Sequence, residues 1–168
     1  DWGGMIGSAW ATRDPSRVAR LVVTNTGAFP LPPAKPFPWQ IAFCRAPLLG
    51  PLLTRGLNGF VETAVRTCTV TPLAPEVAAQ YRAPYDSWAH RVAVLAFVRT
   101  IPLRPRDAGW DILTETAARL ERLRGKPLLL CWGERDFVFD HHFRAEWQRR
   151  FPDAESHVFD DAGHYLLE

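Results

Sequence analysis

The sequence is short of several things, and each shortage excludes a class of protein. It has only three cysteines in 168 residues, Cys44, Cys68 and Cys131, widely spaced and never as C-x-x-C. An odd, scattered set rules out a disulfide framework and offers no zinc-site spacing. No stretch approaches ~18 uninterrupted apolar residues, so no transmembrane helix is indicated. Charge of one sign is scarce: 20 basic residues face 18 acidic ones, a net of +2. With no basic block and no nucleic-acid-reading motif, no nucleic-acid partner is expected. There is no internal repeat, no initiator Met and no signal peptide. The chain opens inside a motif, so its true N-terminus is expected upstream, and a cytoplasmic location is the default expectation. What the chain does have is apolar material: 47% hydrophobic and 12% aromatic residues, enough for the core of roughly one domain.

Three regions separate along the chain. Residues 1–29 read as helix, turn and strand: Trp2 to Ala11 is rich in Gly and Ala, and Val18 to Thr24 is apolar and β-branched, as a buried parallel strand should be. Gly3, Gly4, Gly7 and Ala11 fall on roughly one helical face and would let the helix lie close to a sheet. Residues 30–122 differ. Pro30, Pro32, Pro33, Pro36, Pro38, Pro47 and Pro51 forbid long regular structure at first. Helical segments are then expected at 39–45, 57–68, 75–82, 87–100 and 111–123, with no strand among them. Residues 125–168 return to alternation, with a buried strand at Pro127–Trp132, a helix from about His141 to Phe151 N-capped by Asp140, and a short strand at Ser156–Phe159. Strands alternating with helices predict a parallel sheet and an α/β class.

In parallel sheets, active residues collect in loops at the carboxyl ends of strands. Three polar residues occupy such loops: Asp1, Asp136 and His164. Their order, with a helical insert between strands, is that of α/β-hydrolases with an inserted cap. Asp1-Trp2-Gly3-Gly4 reads as the second half of a nucleophile elbow with Asp in place of Ser, although Asp is equally a favoured helix N-cap. Taken singly, Asp136 in W-G-E-R-D also reads as a solvated loop carboxylate and His164 after D-A-G as a structural histidine. Asp140-His141-His142 invites a metal reading, but adjacent histidines at a helix start diverge and no further ligand cluster lies nearby. Neither a metal nor a cofactor is expected.

The segments D-W-G-G-M-I-G, W-G-E-R-D and D-A-G-H-Y-L-L-E together resemble the haloalkane dehalogenase family of α/β-hydrolases. Within it, P-Y-D-S-W-A-H-R-V-A (84–93), F-V-R-T-I-P-L (97–103), R-D-F-V-F-D (135–140) and F-P-W-Q-I-A-F-C-R (37–45) look most like the β-lactone decarboxylases of bacterial long-chain olefin biosynthesis. The resemblance implies a C-terminal fragment: core segments at 1–29 and 125–168, a helical cap at 30–122, and fewer than half the usual eight strands. It makes Asp1 the nucleophile, His164 the base and Asp136 the acid that orients it. Some dehalogenases place the acid, a Glu, after the preceding strand. Here that region reads Asn25-Thr26-Gly27 and offers no carboxylate. Trp2 matches the halide-binding tryptophan; the alternative is a Trp packed for its area alone. Trp39, Phe43, Phe60, Trp88 and Phe97 suit a pocket for a small hydrophobic substrate, or the core of the cap itself.

The implied reaction is formation of a covalent ester on Asp1 and, as the leading expectation, alkene formation from cis-3,4-dialkyl β-lactones. The same resemblance implies assembly with other olefin-pathway enzymes. Haloalkane dehalogenation and epoxide hydrolysis, the latter using Tyr81 and Tyr85, are the alternatives within the fold. A catalytically silent ligand-binding protein is the alternative outside enzymology.

Overall fold

The computed structural model describes residues 1–168. In chain order its elements are α1 (Trp2–Arg13), β1 (Leu21–Thr24), α2 (Trp39–Arg45), α3 (Leu49–Pro51), α4 (Gly59–Thr67), α5 (Pro75–Arg82), α6 (Val92–Arg99), α7 (Trp110–Arg119), β2 (Leu128–Gly133), α8 (His141–Arg150) and β3 (Glu155–Phe159). Two compact units result. The first joins Asp1–Pro36 to Pro102–Leu166; the second holds Phe37–Ile101 with Leu167–Glu168.

The first unit is built on a parallel sheet of order β1-β2-β3. Register pairs Val23 with Leu130, and Leu130 with Ser156. Side chains alternate across a strand, so one face carries Val23, Leu128, Leu130 and Trp132, all buried. Those side chains share a core with Ala11, Ala117, Leu120, Leu123, Phe143 and Trp147. The other face is open: Val22 is 62% and Phe159 42% exposed.

β1 is shorter than the expected Val18–Thr24. A 3-10 turn at Pro15–Arg17 precedes it, and the ladder opens only where Leu21 N–H donates to Pro127 O (2.9 Å). The Val18 carbonyl is satisfied by Lys126 Nζ instead (2.6 Å). The small residues of α1 also divide differently from expectation. A Cβ on Gly4 would lie 2.2 Å from Thr26 Oγ1, whereas Gly3 and Gly7 face open space. The buried edge of α1 is Ser8, Ala11 and Thr12.

The helical unit is shorter than the 30–122 expected. Pro30–Pro36 stay with the sheet unit, and so does α7 with the 3-10 turn Leu120–Leu123 that follows it. α7 packs on α1, and Leu120 and Leu123 are fully enclosed in the sheet core. Amphipathic spacing reveals that a helix has an apolar stripe, not which core receives it. Within the second unit, α2, α4 and α5 lie where expected. The 87–100 segment becomes helical only from Val92, and a π-helical turn at Leu52–Gly56 extends α3. Val61, Val65 and Ala78 form its small core. Arg45 closes its neck: Nη1 donates to Val98 O (2.9 Å) and Ile101 O (2.8 Å), and the guanidinium lies over the Phe37 ring. No helix is long and apolar enough to cross a membrane.

Candidate active site

All three strands deliver a polar residue at their carboxyl ends, and the loops that follow are laced together. Gly133 ends β2, and a Cβ there would lie 2.2 Å from Gly163 O and 2.8 Å from Ala162 O. Only a glycine lets the loop leading to His164 cross so close. Glu134 N–H donates to Phe159 O and Arg135 N–H to Ala162 O, both at 3.0 Å. The acid loop and the histidine loop are thus one hydrogen-bonded body.

His164 lies between two carboxylates. Its Nδ1 is 2.7 Å from Asp136 Oδ2 and its Nε2 is 3.5 Å from Asp1 Oδ2. Asp136 is buried, and Oδ1 accepts from Val138 N–H (2.7 Å). Oδ2 accepts from Asn25 Nδ2 (3.0 Å) as well as facing the imidazole. A carboxylate so supplied with donors is held in one orientation. It therefore holds the imidazole with Nδ1 toward Asp136 and Nε2 toward Asp1. The Phe139 ring stacks on the imidazole at 5.7 Å and fixes its plane.

Asp1 stands at the N-cap position of α1, but its side chain makes no capping bond. Its carboxylate is half-exposed and turned toward His164 instead. The backbone is held by Thr26 Oγ1, which donates to Asp1 O (2.6 Å), and the bare Gly4 lets α1 approach Thr26 closely enough for that bond. Thr26 O in turn accepts from the buried Trp147 indole (2.9 Å). Trp2 follows Asp1 in the first turn of α1 and is half-buried.

Asn25 is a site residue that the sequence reading passed over, noting only its lack of a carboxylate. It is buried, its φ is +31°, and its side chain donates to Gly133 O (3.1 Å) and Asp136 while accepting from Gly133 N–H (2.8 Å). The available signal was an Asn directly after a strand, one of the few residues that tolerates positive φ. Lys35, also passed over, is buried; its Nζ donates to Phe137 O and to Asp140 Oδ2, both at 2.8 Å.

Asp140 caps α8 as expected, accepting from His142 N–H. The donor atoms of Asp140, His141 and His142 lie within 4.8 Å of one another. Both Asp140 oxygens are engaged, however, Oδ2 by Lys35 and Oδ1 by His142. Burial pushes this carboxyl up, but hydrogen bonds from Lys35 and His142 outweigh it and hold the group below the usual range.

In the helical unit Trp39, Phe43, Trp88 and Phe97 are each about half exposed or more. Trp39 and Phe43 meet edge to face (5.8 Å). Trp88 differs from the others: Arg55 stacks over its ring at 4.3 Å. Phe60 is half-buried, and Tyr81 donates its hydroxyl to Glu168 Oε1 (2.6 Å).

A parallel sheet whose β2 and β3 loops bring a carboxylate and a histidine to the carboxylate at the start of α1 is the arrangement of an α/β-hydrolase fold. The chain belongs to that family, whose model matches residues 1–168. Among known proteins, it is 46% identical over its whole length to a cis-3-alkyl-4-alkyloxetan-2-one decarboxylase of Shewanella oneidensis, covering 53% of that protein. It is 30% identical over its whole length to a haloalkane dehalogenase of Mycolicibacterium paratuberculosis, covering 54% of it. The crystal structure of an ancestral haloalkane dehalogenase superposes with a TM-score of 0.86 at 26% identity, over 99% of this chain and 60% of that one. The chain thus spans about half the length of the curated relatives it matches.

Proposed function

We propose that the protein carrying this chain is a cytoplasmic β-lactone decarboxylase in which Asp1 is the nucleophile, His164 its histidine partner, Asp136 the orienting acid and Trp2 a donor to the leaving anion. The observation that carries the reading is the Asp1–His164–Asp136 line, with an Asp at the elbow where a hydrolase of this fold ordinarily has Ser. A serine must lose a proton to attack; a carboxylate is already ionised at neutral pH. It is therefore suited to attack on an sp3 carbon.

Asp1 attacks C4 of the lactone; the C4–O bond breaks, leaving an Asp1 ester and a free substrate carboxylate. The bond to that carboxylate then breaks, releasing carbon dioxide. Its electron pair forms the alkene as the ester C–O bond returns its pair to Asp1. Lactone becomes alkene plus carbon dioxide, with no proton, oxidant or cofactor consumed. The 46% identity to an oxetan-2-one decarboxylase supports this substrate class. The helical unit, with Trp39, Phe43 and Phe97 exposed, is read as the cap that recognises alkyl chains. Assembly with other olefin-pathway enzymes belongs to the same reading and is testable by co-purification.

Haloalkane dehalogenation is the second reading, favoured by the dehalogenase relatives. There the Asp1 ester is cleaved by water, with His164 Nε2 taking the proton and the Trp2 backbone N–H serving as one oxyanion donor. Incubating the full-length protein with a long-chain cis-β-lactone and, separately, a bromoalkane separates the two by gas chromatography. The decarboxylase reading expects alkene and little bromide. Bromide and alcohol without alkene would overturn it.

A further inference from the structure

Lys35 stands apart from the residues so far given chemistry, yet its position is unusual for a lysine. It is 7% exposed. A β-turn closed by Lys35 N–H donating to Pro32 O (2.9 Å) presents it, with Pro33 inside the turn and Pro36 just after it. Proline fixes φ, so this short segment is stiff. It is also the last part of the sheet unit before the chain leaves for the helical unit at Phe37.

The two acceptors of Lys35 explain what the burial achieves. One is Asp140, which secures the end of the acid loop at the start of α8. The other is the carbonyl of Phe137. That carbonyl belongs to the same peptide group as Val138 N–H, and Val138 N–H donates to Asp136 Oδ1 at 2.7 Å. The ammonium therefore reaches the acid through a single peptide unit: Lys35 Nζ to Phe137 C=O, and Val138 N–H to Asp136. A cation on the carbonyl oxygen polarises the amide and strengthens its N–H as a donor. It also fixes the plane of the peptide, and hence the direction from which Asp136 is held.

We propose that Lys35 is a positioning residue for the acid–histidine arm, acting on Asp136 through the 137–138 peptide. This rests on reading Asp136 and His164 as an acid–histidine pair. An ion pair buried for stability alone gains little over an apolar packing of the same volume. A pair buried to aim one peptide at one carboxylate has a reason to be charged. Loss of the charge frees the peptide to rotate, and Asp136 then holds His164 less rigidly.

The test uses the full-length protein and a signal that needs no substrate: the low-field proton resonance of His164 Nδ1–H, identified by its loss in Asp136→Ala. In Lys35→Met the resonance is expected to move upfield and exchange faster with water. Where water cleaves an Asp1 ester, the step that uses His164, kcat should fall about tenfold with KM nearly unchanged, as expected for misplacement of a catalytic group. Lys35→Arg, which keeps charge and two donors, should restore both. A folded Lys35→Met protein with the resonance unmoved would overturn the proposal. If Lys35→Met does not fold, Lys35→Gln carries the same comparison. Failure to turn over either lactone or bromoalkane would count against the proposed function while leaving the resonance to decide the role of Lys35.

Discussion

Replacing Asn25 by Ala probes the joint on which the acid loop depends. Two hydrogen bonds are lost at once and a backbone strain is added. The charge-assisted bond to Asp136 Oδ2 (3.0 Å) is lost, and such bonds contribute about 1.5–3 kcal/mol. The Gly133 N–H, which donates to Asn25 Oδ1 at 2.8 Å, is left buried without that acceptor, at about 1–3 kcal/mol. Alanine must also take up the φ of +31°, for about 1 kcal/mol more. The sum, about 3.5–7 kcal/mol, is comparable with the whole stability of many domains. Asn25→Asp separates the causes: it keeps the acceptor for Gly133 N–H but sets a second carboxylate against Asp136. Denaturant unfolding should show Asn25→Ala destabilised by several kcal/mol. Asn25→Asp should retain more stability than the Ala variant and yet lose activity through repulsion of Asp136. An Asn25→Ala protein within about 1 kcal/mol of the parent would refute this account of the joint.

Other consequences follow from single contacts. Gly133→Ala places a Cβ 2.2 Å from Gly163 O. The histidine loop must yield by about 1 Å, which lowers kcat about 100-fold, read from steady-state kinetics, while secondary structure by circular dichroism is kept. Asp136→Asn removes the carboxylate facing His164 Nδ1 (2.7 Å), so water cleavage of an Asp1 ester, the step that uses His164 as base, should fall by about 10³–10⁴ with the fold intact. Asp140 has a depressed folded-state pKa. Its unfolded form therefore binds protons first on acidification. The stability it confers is complete above the ordinary carboxylate pKa, about 4, and is lost as pH falls through the lower folded value. Guanidinium unfolding from pH 6 down to pH 3 should show a steeper loss for the parent than for Asp140→Asn.

Much of this was legible in the sequence because it rests on local pattern. The apolar run at 128–132 and the Gly-rich start of α1 depend on neighbours along the chain, as does the cap at Asp140. The order Asp1, Asp136, His164 could be read because parallel strands place their following loops at one edge. What escaped depends on partners more than a hundred residues away. Asn25 meets Asp136 across 111 positions and Lys35 meets Phe137 across 102. Neither sits in a motif, and a lysine among prolines looks like solvated surface until its acceptors are seen. The destination of α7 was hidden for the same reason: Leu113, Leu120 and Leu123 mark an apolar stripe, but only packing assigns it to the sheet core. Gly4 could not be singled out from Gly3 and Gly7, since only the approach of Thr26 distinguishes them.

The central claim is that Asp1 forms a bond to carbon, and the most direct measurement is to trap it. Full-length protein carrying His164→Ala, incubated with a bromoalkane and digested, should give a peptide bearing Asp1 with the mass of the alkyl group added. In ¹⁸O-water, elimination to alkene should leave the Asp1 carboxylate unlabelled, whereas the second reading, in which water cleaves the ester, puts the label there. An unmodified Asp1 in a folded protein that still consumes substrate would contradict the account.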